Sequence, residues 1–333
     1  MKITLRDVAE RLGISVSTVS MAMRDNPLVA EETRRRVRAA LDEMGYVYNR
    51  AGAQLRTRQS LSIGVAINDL MNPFFAEVIA AVEDRLAAAG RMVFLANTSE
   101  SPERQQMFLR ALAEHNADGL IVCPVAGSSV EDFRRFAASR PVVLVSRTLA
   151  GLTCDHIVND DEMGGMLAAR HLLDLGHRRI AWIGGGTRTS TFQRRWAGFT
   201  ATLERAGVAP PVRIAARATR EAGAAAASSL VEIDPPPTAA VCFGDLLALG
   251  LLAGLRRSGG PRVPEDLSVI GFDGIGEGEM ADPVLTTVSI DRETIGKTAA
   301  AFLLERLADK GRPIQSSVVV PTLRPGATTG PCR

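Results

Sequence analysis

Residues 4–25 read TLRDVAERLGISVSTVSMAMRD, and this stretch decides the N-terminal fold. Thr4 offers a cap, Asp7 follows three residues on, and Val8, Ala9 and Leu12 share one face, which predicts a helix over 4–13 ended by Gly13. Ser15 opens a second helix over Val16–Met23, with Val19 and Met23 facing inward. Two short helices joined by a glycine turn make a helix-turn-helix. In that motif the second helix enters a DNA major groove and presents its N-terminal residues to base edges. Here those residues are Ser15, Val16, Ser17, Thr18, Ser20 and Met21. Hydroxyls suit phosphates and bases, while Val16 and Met21 suit thymine methyl groups. A two-helix hairpin in which Ser and Thr serve only as caps is the plain structural alternative.

A third helix is expected over Glu31–Met44, with Val37, Leu41 and Met44 at helical spacing and Gly45 as its stop. Next comes YVYNRAGAQLR (46–56), followed by polar Thr57–Ser60. Seven or eight residues after Asn49 are too few for a helix stable alone, and Gly52 weakens it by about 1 kcal/mol relative to alanine. The expectation is a hinge that folds only when something holds it. Residues 1–60 carry 11 Lys/Arg against 7 Asp/Glu, a net of +4, whereas the remaining residues carry −2. A basic head on a slightly acidic body suits a polyanionic partner for the head alone.

From Leu61 the pattern alternates. Strands are predicted at 62–67, 91–96, 119–123, 141–146, 180–183, 239–243 and 268–272. Helices are predicted at 75–89, 103–115, 162–175, 194–206, 221–231 and 246–257, with a last helix at 292–309 and a last strand at 317–323. The rhythm restarts after Asp160, so the expected fold class is α/β: two doubly wound parallel-sheet subdomains behind an all-α headpiece, with ligand sites at the carboxyl ends of the strands.

The chain has 333 residues, 46% hydrophobic, 23% charged and 5% aromatic, which excludes a disordered or collagenous chain. It has no apolar run of about 20 residues, so no membrane partner is expected. The charged start MKITLRDVAERLG lacks the apolar core of a signal peptide, and Cys123, Cys154, Cys242 and Cys332 form no CxxC pair. Together these predict a cytoplasmic protein with reduced thiols. His115, His156, His171 and His177 show no metal-ligand spacing. Gly184-Gly185-Gly186 lacks the GK[ST] ending of a phosphate loop, and Gly274-x-Gly276-x-Gly278 reads as a mobile loop. Asp245 and Asp273 follow strands, where binding groups sit, but nothing assembles acid–base or nucleophilic chemistry around them. No enzyme activity, metal or cofactor is expected.

Several segments in order carry a family likeness: residues 4–25, ETRRRVRAALDEMGYVYNRAGAQLR, QSLSIGVAINDLMNPFFAEV, ADGLIV, LGHRRIAWIGG, RRWAGF, PTAAVCFGDLLALG, LSVIGFDGIGEGEMADPVLTTV and VVVPTLRPG. Through them the chain resembles the LacI/GalR family of bacterial transcription regulators along essentially its whole length. The resemblance implies a DNA-binding headpiece over 1–46, a hinge helix and linker over 47–60, and a periplasmic-binding-protein-like core over 61–333. It further implies three crossings between subdomains, near Asp160, Ser289 and Pro321. The N-subdomain would then hold about 61–160 and 290–320, and the C-subdomain about 161–289 and 321–333. The expected partners are a double-stranded, pseudo-palindromic operator, a second copy of the chain (or three, as a tetramer) and a small sugar or sugar-derived effector.

Carried over residue by residue, Thr4, Leu5, Ser15, Thr18, Ser20, Thr33, Tyr46 and Asn49 lie around phosphates. Val16, Ser17 and Met21 take base-reading positions, and Gly52 and Leu55 fall in the hinge, where Leu55 matches the minor-groove wedge. Tyr48 stands in place of the family's proline and Gly52-Ala53 in place of its Ala-Arg pair. Met21 stands where arginine is frequent, so the operator should differ from the best-known ones.

In the cleft, Phe74 and Phe75 match an aromatic pair, Arg195 the ligand-binding arginine, and Asp273 a ligand-binding carboxylate. Asp245 is grouped with them. Ser146-Arg147 replaces a sugar-binding aspartate, and Gly244 replaces an asparagine. These exchanges point away from a simple neutral sugar and admit an anionic one. The resemblance implies a repressor, with an activator or corepressor-dependent regulator as the alternative. The rivals from other classes are a cytoplasmic solute-binding protein and a sugar-metabolising enzyme.

Overall fold

The computed structural model describes residues 3–47, 59–186 and 188–333. The chain folds as two units, residues 1–60 and 61–333. The hinge residues Tyr48, Asn49, Gly52 and Leu55 lie outside the described residues.

In the first unit, helix α1 (Leu5–Leu12) is closed at its start by a capping box: the Asp7 amide donates to Thr4 Oγ1, and the Thr4 amide donates to Asp7 Oδ2 at 2.7 Å. Gly13, at φ +65°, ends it in the left-handed conformation that glycine tolerates best. Helix α2 (Val16–Ala22) starts at Ser15, whose Oγ accepts from the Thr18 amide at 3.0 Å. Helix α3 (Glu31–Glu43) follows. Val8, Ala9, Val19, Ala22, Val29, Val37 and Ala40 form the core of this unit. Ala22 takes the inward place expected of Met23, which instead caps α2 and is half-buried because the helix is one residue shorter. The arginine run is a solvated face: Arg34 pairs with Glu31 and Arg35 with Glu32. Ser15→Ala should lower headpiece stability by about 1 kcal/mol, measured by thermal melting of the isolated unit, because it orphans a helix-start amide.

The second unit is built from β1 (Ser62–Ile67), α4 (Pro73–Ala88), β2 (Met92–Asn97), α5 (Pro102–Glu114), β3 (Gly119–Val122), α6 (Val130–Ala137), β4 (Val142–Val145), β5 (Asp155–Asn159), α7 (Asp161–Asp174), β6 (Ile180–Ile183), α8 (Ser190–Arg205), β7 (Val212–Ile214), α9 (Arg220–Val231), β8 (Ala239–Cys242), α10 (Asp245–Ser258), β9 (Ser268–Asp273), α11 (Gly276–Glu279), β10 (Thr286–Ser289), α12 (Arg292–Ala308), β11 (Ser316–Val319) and β12 (Thr322–Arg324). One sheet has the order β11-β5-β4-β3-β1-β2 and is parallel throughout. The other has the order β12-β10-β9-β8-β6-β7, with only β12 antiparallel.

The chain passes from the first sheet to the second after β5. It returns after β10, when α12 packs on α4 and on strands of the first sheet, and leaves again between β11 and β12. The single strand expected over 317–323 is therefore two strands in different sheets, broken at Val320-Pro321. The loop expected to be mobile after β9 is instead pinned: Ile275 is fully buried, its amide donates to Asp245, and Gly276–Glu279 makes one helical turn. Among the described residues, no helix is long and apolar enough to cross a membrane.

Candidate DNA-reading surface and effector cleft

The start of α2 carries the candidate base-reading side chains. Val16 is 43% exposed and Ser17 is exposed beside it. Ser15 Oγ lies 2.7 Å from Ser17 Oγ and 2.8 Å from Thr18 Oγ1, so the three hydroxyls form one hydrogen-bonded cluster at the helix start. Met21 is half-buried against the headpiece core, which leaves only part of its side chain for a base. Ser20 receives hydrogen bonds from Arg24 on its carbonyl (3.0 Å) and its hydroxyl (3.3 Å), so a guanidinium lies alongside it. Leu5 and Tyr46 pack partly against the core. Leu5 therefore has its helix-start amide to offer a phosphate rather than its side chain. Thr4 is exposed with its hydroxyl engaged by Asp7, and Thr33 is half-buried on the first turn of α3.

The cleft residues converge from both sheets. Arg195, on the second turn of α8, is 3% exposed and lies between two carboxylates. Its Nε donates to Asp161 Oδ1 at 2.8 Å, its Nη1 donates to the Phe243 carbonyl at 2.8 Å, and its Nη2 stands 3.8 Å from Asp273 Oδ1. The guanidinium also lies over the rings of Phe272 and Phe243, at 4.5 Å and 5.0 Å. Helix α8 reaches this place because glycines let it touch α7 backbone to backbone. A Cβ on Gly165 would overlap the Arg195 carbonyl oxygen, and one on Gly198 would overlap that of Glu162. The two glycines thus hold Asp161, the first residue of α7, against Arg195.

Asp273 ends β9 at φ +104°, a strained backbone for a residue with a side chain. Burial pushes its carboxyl up to about 6, against the opposing pull of Arg195 and a hydrogen bond from Asn72. Gly244 makes room for this carboxylate: a Cβ there would crowd Asp273 Oδ2 at 3.1 Å. Asp161 is likewise pushed upward by burial, with Arg195 opposing. Because the folded chain holds the Asp273 proton to higher pH than the unfolded chain does, Asp273's contribution to stability is lost as pH rises from about 4 through about 6. Asp273→Asn does not titrate. Its stability relative to the native chain should therefore rise across that window, measured by urea unfolding.

The wall from the first sheet is polar and incompletely satisfied. Ser146 follows β4 at φ +59° in a tight turn closed by the Arg147 amide on the Val145 carbonyl at 2.6 Å. Asn68 Oδ1, Ser146 Oγ and Asn159 Oδ1 are buried without a hydrogen-bond partner, at the carboxyl ends of β1, β4 and β5. Arg147 grips Glu100 through two bonds, at 2.7 Å and 3.1 Å, and donates to the Pro124 carbonyl. The same bonds from Arg147 hold Glu100 below the usual carboxylate range despite its burial. Across the cleft, Thr191 Oγ1 donates to the Ser146 carbonyl at 3.2 Å and the Thr148 amide donates to Ser190 Oγ at 3.1 Å.

Two sequence expectations are corrected here. Asp245 is fully buried, accepts from Thr287 Oγ1 (2.7 Å) and the Ile275 amide (2.9 Å), and is pushed up to about 8 by burial; it braces the loop after β9 and faces no ligand space. Phe74 and Phe75 pack edge to face, 5.2 Å apart, in the apolar cluster that also holds Leu246 and Ile275. They seal the seam between subdomains rather than offering open rings. Sequence reasoning missed Asp161, Glu100, Asn72 and the half-buried ring of Phe243. The positions of Asp161 and Asn72 beside strand ends were a usable signal, whereas Glu100 sits in an ordinary polar loop.

Comparison with known proteins agrees with this architecture. Residues 60–323 match the family model described as periplasmic binding proteins and sugar binding domain of LacI family, and residues 4–49 match bacterial regulatory proteins, lacI family. The HTH-type transcriptional repressor PurR of Photobacterium profundum is 34% identical over 310 residues, covering 92% of each chain. The Lac repressor dimer bound to operator and the anti-inducer ONPF superimposes with a TM-score of 0.87 at 28% identity, covering 99% of this chain and 100% of that one. A complex of the transcriptional regulator CelR with cellobiose gives 0.73 at 26% identity, covering 98% and 100%. The chain belongs to the LacI family of bacterial regulatory proteins, and it is a ligand-responsive regulator of transcription.

Proposed function

We propose that the chain is a repressor that binds a pseudo-palindromic operator as a homodimer and is controlled by a sugar-type effector in the cleft between its subdomains. The observation that carries the DNA reading is the exposed start of α2, where Val16 and Ser17 project beside the hydroxyl cluster of Ser15 and Thr18. Ser15, Thr18, Ser20, Thr4 and Thr33, with the Leu5 amide and Tyr46, are assigned to phosphates, which position the protein. Val16, Ser17 and Met21 are assigned to base edges, which carry specificity.

Dimerisation is supported by the edge strand β2, where Met92, Phe94 and Leu95 are 60%, 42% and 43% exposed. A bare apolar edge is a liability that a second copy removes, and the Lac repressor neighbour is described as a dimer. For the effector, CelR is seen with cellobiose and a LacI-family regulator from Enterococcus faecium with ribose. The orphaned oxygens of Asn68, Ser146 and Asn159 suit the hydroxyls of such a ligand. An anionic effector loses its support, since Arg147 and Arg195 already hold carboxylates.

Substituting Ser17 or Met21 tests the base-reading assignment. Each change should cost about 1–3 kcal/mol on the preferred operator, alter the preferred base at one position in each half-site, and leave the headpiece melting point in place. Uniform weakening across all sequences would assign those positions to phosphates instead.

A further inference from the structure

The charges around the cleft do not cancel. Glu100 is matched by Arg147, and Glu77 by Arg292 at 2.7 Å, but Asp161 and Asp273 share the single guanidinium of Arg195. Arg194 also acts on Asp161, but it is exposed and screened by water. One unit of negative charge is therefore buried in excess, at a place where a lone carboxylate is costly. The unsatisfied groups on the facing wall have the same polarity. Asn68 Oδ1 and Asn159 Oδ1 can only accept, and the orientation of Asn68 is fixed because its amide nitrogen donates to Glu100 at 3.1 Å. Ser146 Oγ can accept as well. The site is thus rich in acceptors, poor in unengaged donors, and short of a cation.

We propose that the effector carries a protonated amine on a polyhydroxylated body, an amino sugar or similar aminopolyol, with the amine set against Asp161 and Asp273. This rests on the reading of the cleft as the effector site. The ammonium supplies the missing charge to the carboxylates around Arg195, and ligand hydroxyls donate to the oxygens of Asn68, Ser146 and Asn159. A phosphate or carboxylate on the ligand would meet the excess negative charge, and the two arginines could receive it only by releasing their present partners.

The test is calorimetric titration of the full chain at neutral pH with matched probes: glucosamine, glucose, N-acetylglucosamine and glucose 6-phosphate, and the corresponding pentose set. In at least one set the amine should bind about tenfold or more tightly than its neutral counterparts, and the phosphate should not bind at millimolar concentration. Asp161→Asn and Asp273→Asn, checked for folding by Trp182 and Trp196 fluorescence, should each reduce the preference for the amine over the neutral sugar about tenfold while leaving neutral-sugar affinity in place. The proposal is overturned by a phosphate or neutral probe that matches the amine, by variants that leave the preference unchanged, or by the absence of amine binding at millimolar concentration. Operator binding by the same preparation separates the two readings. A chain that binds DNA but no amine refutes this inference alone, whereas one that binds the amine but never DNA refutes the regulatory reading alone.

Discussion

Arg195→Ala should lower the stability of the core by about 3–5 kcal/mol, the usual cost of removing one partner from a buried ion pair. The guanidinium is 3% exposed and holds Asp161 Oδ1, the Phe243 carbonyl and the neighbourhood of Asp273. Without it, two carboxylates and a carbonyl are left in a dry site. The carboxyls would answer by holding their protons to still higher pH, so the deficit should be smaller near pH 5 than near pH 8. Both tryptophans of the chain, Trp182 and Trp196, lie in the affected subdomain, so urea unfolding followed by their fluorescence reads the loss directly. Arg195→Lys keeps the charge but loses the fork that bonds Asp161 and Phe243 together, and should fall between the native chain and the alanine variant. A loss below about 1 kcal/mol for the alanine variant would mean that water reaches these carboxylates freely.

Gly198→Ala is the second large effect and isolates geometry from charge. The added methyl would overlap the Glu162 carbonyl, a backbone group that no rotamer change can move aside. Helices α7 and α8 must separate, and overpacking of this kind costs about 1–3 kcal/mol or more. Asp161 stands at the start of one helix and Arg195 on the other, so the separation opens the ion pair as well as the contact. The expected result is a chain that folds less stably and responds to its effector more weakly, although no charged group has been touched. Gly207→Ala serves as a control, because a Cβ there meets nothing within 4 Å and its φ of +67° makes it a purely backbone change.

What the sequence made legible follows from local physics. The caps at Thr4 and Ser15, the stops at Gly13 and Gly45, and the run Ser62–Ile67 are all set by neighbours within a turn or a strand. The strand Asp155–Asn159 and the strand Thr286–Ser289 escaped because DHIVN and TTVS carry polar groups that only tertiary pairing satisfies. The start of α8 at Ser190 was missed because its cap is Thr189, four residues before the apolar pattern becomes regular. Among site residues, Arg195 and Asp273 were visible as motif members. The burial of Asp245 depends on Thr287 and Ile275, distant in sequence, and Arg147 changes meaning once Glu100 is found beside it. An isolated arginine suggests an anion, whereas an arginine already gripped by a carboxylate does not.

The most direct test of the regulatory reading is selection of bound sites from a random duplex pool with the full chain at near-physiological salt. A dimer reading DNA through two copies of α2 should enrich a pseudo-palindrome whose half-sites lie about one helical turn apart. Repeating the selection with glucosamine present should change the degree of enrichment without changing the sequence recovered. Recovery of no common sequence under either condition would contradict the assignment of Val16, Ser17 and Met21 to base reading.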